Sequence, residues 1–203
     1  MSTLLLVRHG ESEWNASGKI AGRSNIALTQ EGLRQAAVVG KKLQSFIIDT
    51  AYTSTLLRAK QSFDAANKQV AGALPEPSAV AALDERDFGT YTGLDKAELL
   101  QDLGAKAYAE VFSEWYGTAP EGESLKMVYE RVSEFFDKTL TPDLESDKTV
   151  LIVAHHHTLR ALIAHIEHLS PKQTALLRLG NASCTQYTFE RSPLLLVNKA
   201  LID

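Results

Sequence analysis

The sequence predicts a three-layer α/β sandwich, a largely parallel central sheet with helices on both faces, and two patterns predict it. Leu4-Leu5-Leu6-Val7 and Thr149-Val150-Leu151-Ile152-Val153-Ala154 are short, continuous apolar runs, as expected of strands buried on both sides. Between and after them lie stretches with apolar residues at helical spacing, so strands alternate with amphipathic helices.

Each element has its own signal. The first strand stops at Arg8-His9-Gly10. Thr29 can cap a helix whose apolar positions Leu33, Ala36, Ala37, Gly40, Leu43 and Ile47 follow the i, i+3, i+4, i+7 rule. Ile47 to Thr53 offers a second strand, and Ser54 or Thr55 can cap a helix from near Leu56 that ends before Gly72, with Arg58 in its first turn. Val80 to Gly93 is rich in turn residues. Asp95 to Gly104 and Lys106 to Tyr116 are expected to be helical, and residues 84–122 to form a lid over a site. Glu123-Ser124 opens a helix through Lys138. The apolar run ending at Ala154 is followed by His155 and a helix marked by Leu159, Leu162, Ile163 and Ile166. Ser183 to Phe189 and Leu194 to Asn198 are expected as strands around a turn at Glu190-Arg191-Ser192-Pro193. Arg8-His9 and His155 both follow the carboxyl ends of apolar strands, where open α/β sheets bind ligands, so they are expected to meet in one crevice.

Composition bounds the rest. With 203 residues, 44% hydrophobic and 23% charged, the chain can bury a sizeable core, and one domain over 1–203 is expected. A single cysteine, Cys184, excludes an intramolecular disulfide and fits a reducing compartment, so a cytoplasmic location is expected. The apolar start is too short for a signal-peptide core, and no segment approaches the length of a membrane span. A net charge of -4 gives no general attraction to nucleic acid, so anion binding must come from clustered arginines. The expected partner is a small phosphorylated metabolite, with no nucleic acid and no membrane; the oligomeric state is left open.

The segment Leu5-Leu6-Val7-Arg8-His9-Gly10-Glu11-Ser12-Glu13-Trp14-Asn15 resembles the signature of the histidine phosphatase superfamily, especially its cofactor-dependent phosphoglycerate mutase branch. The resemblance continues in family order through Leu28-Thr29-Gln30-Glu31-Gly32, Thr53-Ser54-Thr55-Leu56-Leu57-Arg58-Ala59, Asp84-Glu85-Arg86-Asp87-Phe88-Gly89, Gly122-Glu123-Ser124 and Ala154-His155 with Leu159-Arg160. It implies His9 as nucleophile, Glu85 as general acid, Arg8, Arg58 and His155 as the phosphate clamp, and Asn15, Ser12, Gly22 and Lys96 as substrate contacts. The chemistry gives independent reasons for the clamp. A phosphomonoester dianion repels nucleophiles until donors neutralise its oxygens, and the planar fork of arginine does this best. A neutral imidazole can then attack phosphorus with its other nitrogen fixed by a backbone carbonyl.

His156 stands where the family usually has glycine, and His157 where mutases have asparagine; both are candidate substrate contacts. The run His155-His156-His157 with His165 and His168 also suggests a metal site, but successive positions diverge and no carboxylate or thiolate set completes one. No metal is expected. No cofactor is expected either, except 2,3-bisphosphoglycerate as primer in a mutase.

Three functions are weighed: a phosphohistidine-dependent phosphatase of small phosphomonoesters, a 2,3-bisphosphoglycerate-dependent phosphoglycerate mutase, and a silent binding module. Retention of Arg8, His9, Arg58, Glu85 and His155 disfavours the third. Mutases carry an arginine pair where Ser113-Glu114-Trp115-Tyr116 stands and a threonine where Ala21 stands, and Asn181-Ala182-Ser183 resembles the phosphatase branch. Lys96 matches a mutase lysine. Phosphatase is the favoured reading, with Glu114 expected to face the substrate region.

Overall fold

The computed structural model describes residues 1–190 and 193–202. In chain order these form strand β1 (Ser2–Arg8), the short helix α1 (Glu13–Ala16), α2 (Gln30–Leu43), β2 (Thr50–Thr53), α3 (Leu57–Asn67) and β3 (Ser78–Ala79). Then come α4 (Lys96–Ser113), α5 (Leu125–Phe135), α6 (Thr141–Glu145), β4 (Thr149–Ala154), α7 (His156–Ile166), α8 (Pro171–Leu176), β5 (Cys184–Glu190) and β6 (Leu195–Leu201). The six strands form one sheet in the order β3-β2-β4-β1-β5-β6. The first four are mutually parallel, while β5 pairs antiparallel with β1 and β6 antiparallel with β5.

The continuous apolar runs are buried on both faces because helices cover both. On β1, Leu5 and Val7 pack with Val39 and Leu43 of α2 and Phe63 of α3. Leu4 and Leu6 point the other way, into a core with Val128 and Val132 of α5 and Leu159, Leu162 and Ile163 of α7. Strand residues alternate sides, so a strand sandwiched between helices has no polar phase. The predicted fold class is observed.

The differences lie at boundaries. Ile47 is 87% exposed, because α2 ends at Leu43 and a turn closes behind it, Phe46 N–H donating to Leu43 O at 3.0 Å. Val39 takes the buried position. α3 has Leu56 at its N-cap with no side-chain cap; Ser54 Oγ accepts from Leu56 N–H at 3.1 Å. The two helices expected at 95–116 form one element broken at Gly104, whose φ of 76° is non-helical. Beyond Phe135 the helix widens into a π turn over Phe136–Leu140 and continues into α6 rather than stopping at Lys138. α1, β3 and α8 were not anticipated. Arg191 and Ser192, the centre of the expected turn, lie outside the described residues.

Two features fasten the loop after β1 to this frame. The Thr29 hydroxyl caps α2, accepting from Gly32 N–H at 3.0 Å, and donates to Glu11 Oε1 at 2.8 Å. A Cβ on Gly32 would lie 2.0 Å from Glu11 O, so the loop can rest on α2 only over a glycine. Gly to Ala in a helix ordinarily gains about 1 kcal/mol. For Gly32→Ala we expect the opposite sign, a loss of about 1–3 kcal/mol in urea unfolding, because the clash is with backbone; an unchanged or raised midpoint would show that the loop moves freely.

Candidate active site

β1 and β4 are neighbours in parallel register, Arg8 opposite Ala154, so the residues that follow them, His9 and His155, emerge side by side. Their ring centroids are 5.0 Å apart. His9 Nδ1 lies 2.6 Å from Gly10 O. A carbonyl only accepts, so Nδ1 carries the proton and Nε2 keeps its lone pair. Burial first, then the charges of Arg58 and Arg8, pushes the His9 pKa down to about 3, so the ring is neutral at working pH.

The two arginines are themselves braced. Arg58 donates from Nη1 to Ser24 O and from Nη2 to Gly22 O, each at 2.8 Å, and Arg8 donates from Nη1 to Leu179 O at 2.6 Å. Gly22, at φ +48°, supplies its carbonyl from a left-handed conformation, and a Cβ there would meet Thr92 Oγ1 at 2.9 Å. Nε of Arg8, Nε of Arg58 and Nδ1 of His155 are buried without a hydrogen-bond partner among the described residues. An unmet buried donor costs about 1–3 kcal/mol, and the two arginine Nε groups beside a neutral imidazole suit an anion.

A cleft of about 260 Å³ opens over this group. Arg8, His9, Asn15, Gly22, Arg58, Glu85, Lys96, His156 and His157 line it. Asn15 Oδ1 accepts from Ser12 N–H and from Asn181 Nδ2, both at 3.2 Å, which leaves the Asn15 NH2 group for a ligand. Lys96 follows the cap residue Asp95 at the start of α4, and burial, then the charge of Arg8, lowers its pKa.

Two expected contacts do not line the cleft. Ser12 is fully buried and serves as N-cap of α1, its hydroxyl accepting from Asn15 N–H at 3.2 Å; it orients Asn15 instead of reaching a substrate. His155 is fully buried behind His9, with Nε2 2.6 Å from Ser54 Oγ. Burial, then Arg58 and His9, holds its pKa well below the usual histidine value. Glu114, expected to face the substrate, is exposed and is not among the lining residues.

Glu85 is buried at the N-terminus of α7, Oε1 accepting from Arg86 N–H at 2.9 Å and His157 N–H at 3.1 Å. Burial raises its pKa, but His157, His155 and the Arg86 N–H together outweigh burial and hold it well below the usual carboxylate range. It is therefore a carboxylate. Arg86 is not its salt-bridge partner. Its guanidinium donates to Glu123 O at 2.7 Å, Val111 O at 2.8 Å and Gly117 O at 2.7 Å, tying both ends of the 84–122 segment together.

Lys19, Ile20, Ala21, Phe88 and Phe112 also line the cleft, and sequence reasoning had not assigned them there. Phe88 and Phe112 stack with centroids 5.0 Å apart, forming an apolar wall. Lys19 and Ala21 could have been found from their place in the Gly18-to-Asn25 loop; Phe112 had no local signal. Among the described residues, no group of three or more His, Cys, Asp or Glu is arranged to hold a metal ion, and no helix is long and apolar enough to cross a membrane.

Fold and site together define a phosphoryl-transfer enzyme with a histidine at its centre. The sequence profile of the histidine phosphatase superfamily (branch 1) matches residues 4–199, and the chain belongs to that family. A 2,3-bisphosphoglycerate-dependent phosphoglycerate mutase of Cytophaga hutchinsonii is 35% identical over 189 residues, 93% of this chain and 88% of that protein. A phosphoserine phosphatase of Entamoeba histolytica superposes with a TM-score of 0.79 at 26% identity, covering 100% of this chain and 98% of that one. A mycobacterial glucosyl-3-phosphoglycerate phosphatase gives 0.85 at 22% identity, covering 99% and 97%. Phosphatase and mutase activities both fit this family membership.

His9 and His156 are each held down to about 3 by burial, against an ordinary 6.5. The unfolded chain therefore binds more protons between those values, so their contribution to stability is complete above about pH 6.5 and is lost as pH falls toward 3. Urea midpoints should be flat from about pH 7 to 8 and fall below 6.5, less steeply in His156→Asn; equal slopes in the two proteins would contradict the buried, neutral state of His156.

Proposed function

We propose that this enzyme is a phosphohistidine-dependent phosphatase of small phosphomonoesters. The observation that carries the reading is the neutral His9 ring, locked through Nδ1 to Gly10 O, beside unpartnered Nε donors on Arg8 and Arg58. His9 Nε2 attacks phosphorus while the ester P–O bond breaks, and Arg8, Arg58 and Asn15 carry the charge on the non-bridging oxygens. Glu85 gives its proton to the leaving alkoxide. Water then attacks the phosphohistidine, its proton passes to Glu85, the P–N bond breaks, and phosphate leaves with His9 neutral again. Glu85 starts as a carboxylate, so the acid form has to be acquired with the substrate, whose dianion raises a neighbouring carboxyl pKa.

Phosphatase is preferred over mutase because of what surrounds the clamp. A mutase must retain a carboxylated intermediate while excluding water, which calls for further cations. Beyond Arg8 and Arg58, the cations lining the cleft are Lys19 and Lys96, and the facing wall is Phe88, Phe112 and Ala21. The mutase reading draws support from the relatives that bear that name and from Lys96. A cytoplasmic enzyme acting on a free metabolite rather than on nucleic acid fits the net charge of -4 and the buried, unpaired Cys184.

Rapid quenching with labelled substrate should give an acid-labile, alkali-stable phosphoenzyme that is lost in His9→Ala; the same yield from that variant would end the proposal. Glu85→Gln should slow alkyl phosphates by about 100-fold or more and p-nitrophenyl phosphate far less, since nitrophenolate leaves with little protonation. With 3-phosphoglycerate and catalytic 2,3-bisphosphoglycerate, isomerisation many times faster than the best phosphate release from any monoester would make the enzyme a mutase.

A further inference from the structure

We propose that His157 is the proton-holding partner of Glu85, imidazole and carboxylate sharing one proton whose retention sets the pH range in which Glu85 can protonate the leaving oxygen. This rests on the reading of Glu85 as general acid. His157 occupies the second position of α7, and its backbone N–H binds Glu85 Oε1 at 3.1 Å while its Nδ1 lies 3.6 Å from Glu85 Oε2. That Nδ1 is buried and has no hydrogen-bond partner among the described residues. The ring is held edge-on to Phe88, centroids 5.3 Å apart, and against His156 at 5.0 Å. Packing on Phe88 accounts for the ring's position, but it does not account for an unmet nitrogen turned toward a buried carboxylate. Catalytic hydrogen bonds are often long in an empty site and tighten with substrate.

The charges around the ring favour sharing over a permanent ion pair. Glu85 and Arg86 face it from the loop before α4, and His156 and Arg160 from its own helix; Arg8 on β1 acts on Glu85 and His156. Burial lowers the His157 pKa, Glu85 raises it, and Arg160 and Arg86 lower it. Two groups coupled this closely titrate as a unit, and the pair keeps its one proton to higher pH than the carboxyl alone would beside a neutral side chain. In the cycle, the one shared proton passes from His157 Nδ1 to Glu85 and on to the leaving oxygen, leaving a carboxylate and a neutral imidazole, and the proton of the attacking water returns to Glu85 and restores the pair. No proton is gained or lost.

The test is the pH profile of kcat/KM for an alkyl phosphate and for p-nitrophenyl phosphate in the wild type, His157→Asn and His157→Gln. For the alkyl ester, the basic limb should move down by about one pH unit or more in both variants, and the p-nitrophenyl profile should stay in place. An unmoved limb, or equal movement for both esters, would overturn the proposal. Should neither variant fold, NMR titration of the His157 ring decides: its pKa should fall in Glu85→Gln, and an unchanged value refutes the pairing. Equal loss of both esters in Glu85→Gln would instead refute the general-acid reading, so the two failures are distinguishable.

Discussion

Parallel pairing of β1 with β4 is the constraint on which the rest of the molecule depends. The two strands are buried on both faces, so neither can slip by one residue without driving its whole apolar set to the wrong side. Their register puts Arg8 opposite Ala154 and so aligns His9 with His155 at the carboxyl edge. Backbone bonds extend the pairing past the strands, His9 N–H donating to Ala154 O at 3.0 Å and Arg8 N–H to Ser183 O at 3.0 Å. His9 is thus held at the end of a central strand of the sheet.

That framework supports an electrostatic arrangement that is unfavourable on its own. Arg58 and Arg86 are among the largest fully buried side chains, and burial lowers the pKa of each to about 10. Both remain cationic, and backbone carbonyls accept from them: Ser24 and Gly22 for Arg58; Glu123, Val111 and Gly117 for Arg86. Carbonyls fix the geometry without neutralising the charge. In Arg58 the leftover charge is available to a phosphoryl group, whereas in Arg86 it serves to knit the segment over the cleft to the base of α5.

Acid and base roles follow from position relative to that charge. His9 is surrounded by cations and stays neutral, which a nucleophile needs. Glu85 lies at the N-terminus of α7, where two backbone N–H groups and His157 favour the anion. Binding a dianion opposes both effects at once, so the same event that brings substrate also brings the proton needed to release its alcohol.

The sequence by itself determined the sandwich, because a buried parallel strand has no polar phase and leaves an unmistakable apolar run. It also brought Arg8-His9 and His155 together, because they are contiguous with those runs and belong to motifs that match a family. Tertiary structure alone decided what surrounds them. Ser12 and Asn15 are equivalent in the sequence, yet the capping geometry of α1 turns one inward and leaves the other at the cleft. Arg86 follows Glu85 directly, but its guanidinium turns away to carbonyls 25 to 37 residues downstream. Phe112, beyond the break of α4 at Gly104, stacks on Phe88, 24 residues earlier in the chain. His157, one of three consecutive histidines, is distinguished from His156 by the direction in which the first turn of α7 points it, toward Glu85. Local patterns encode which element a residue joins, whereas the direction of a side chain at a loop or helix end depends on contacts distant in the chain.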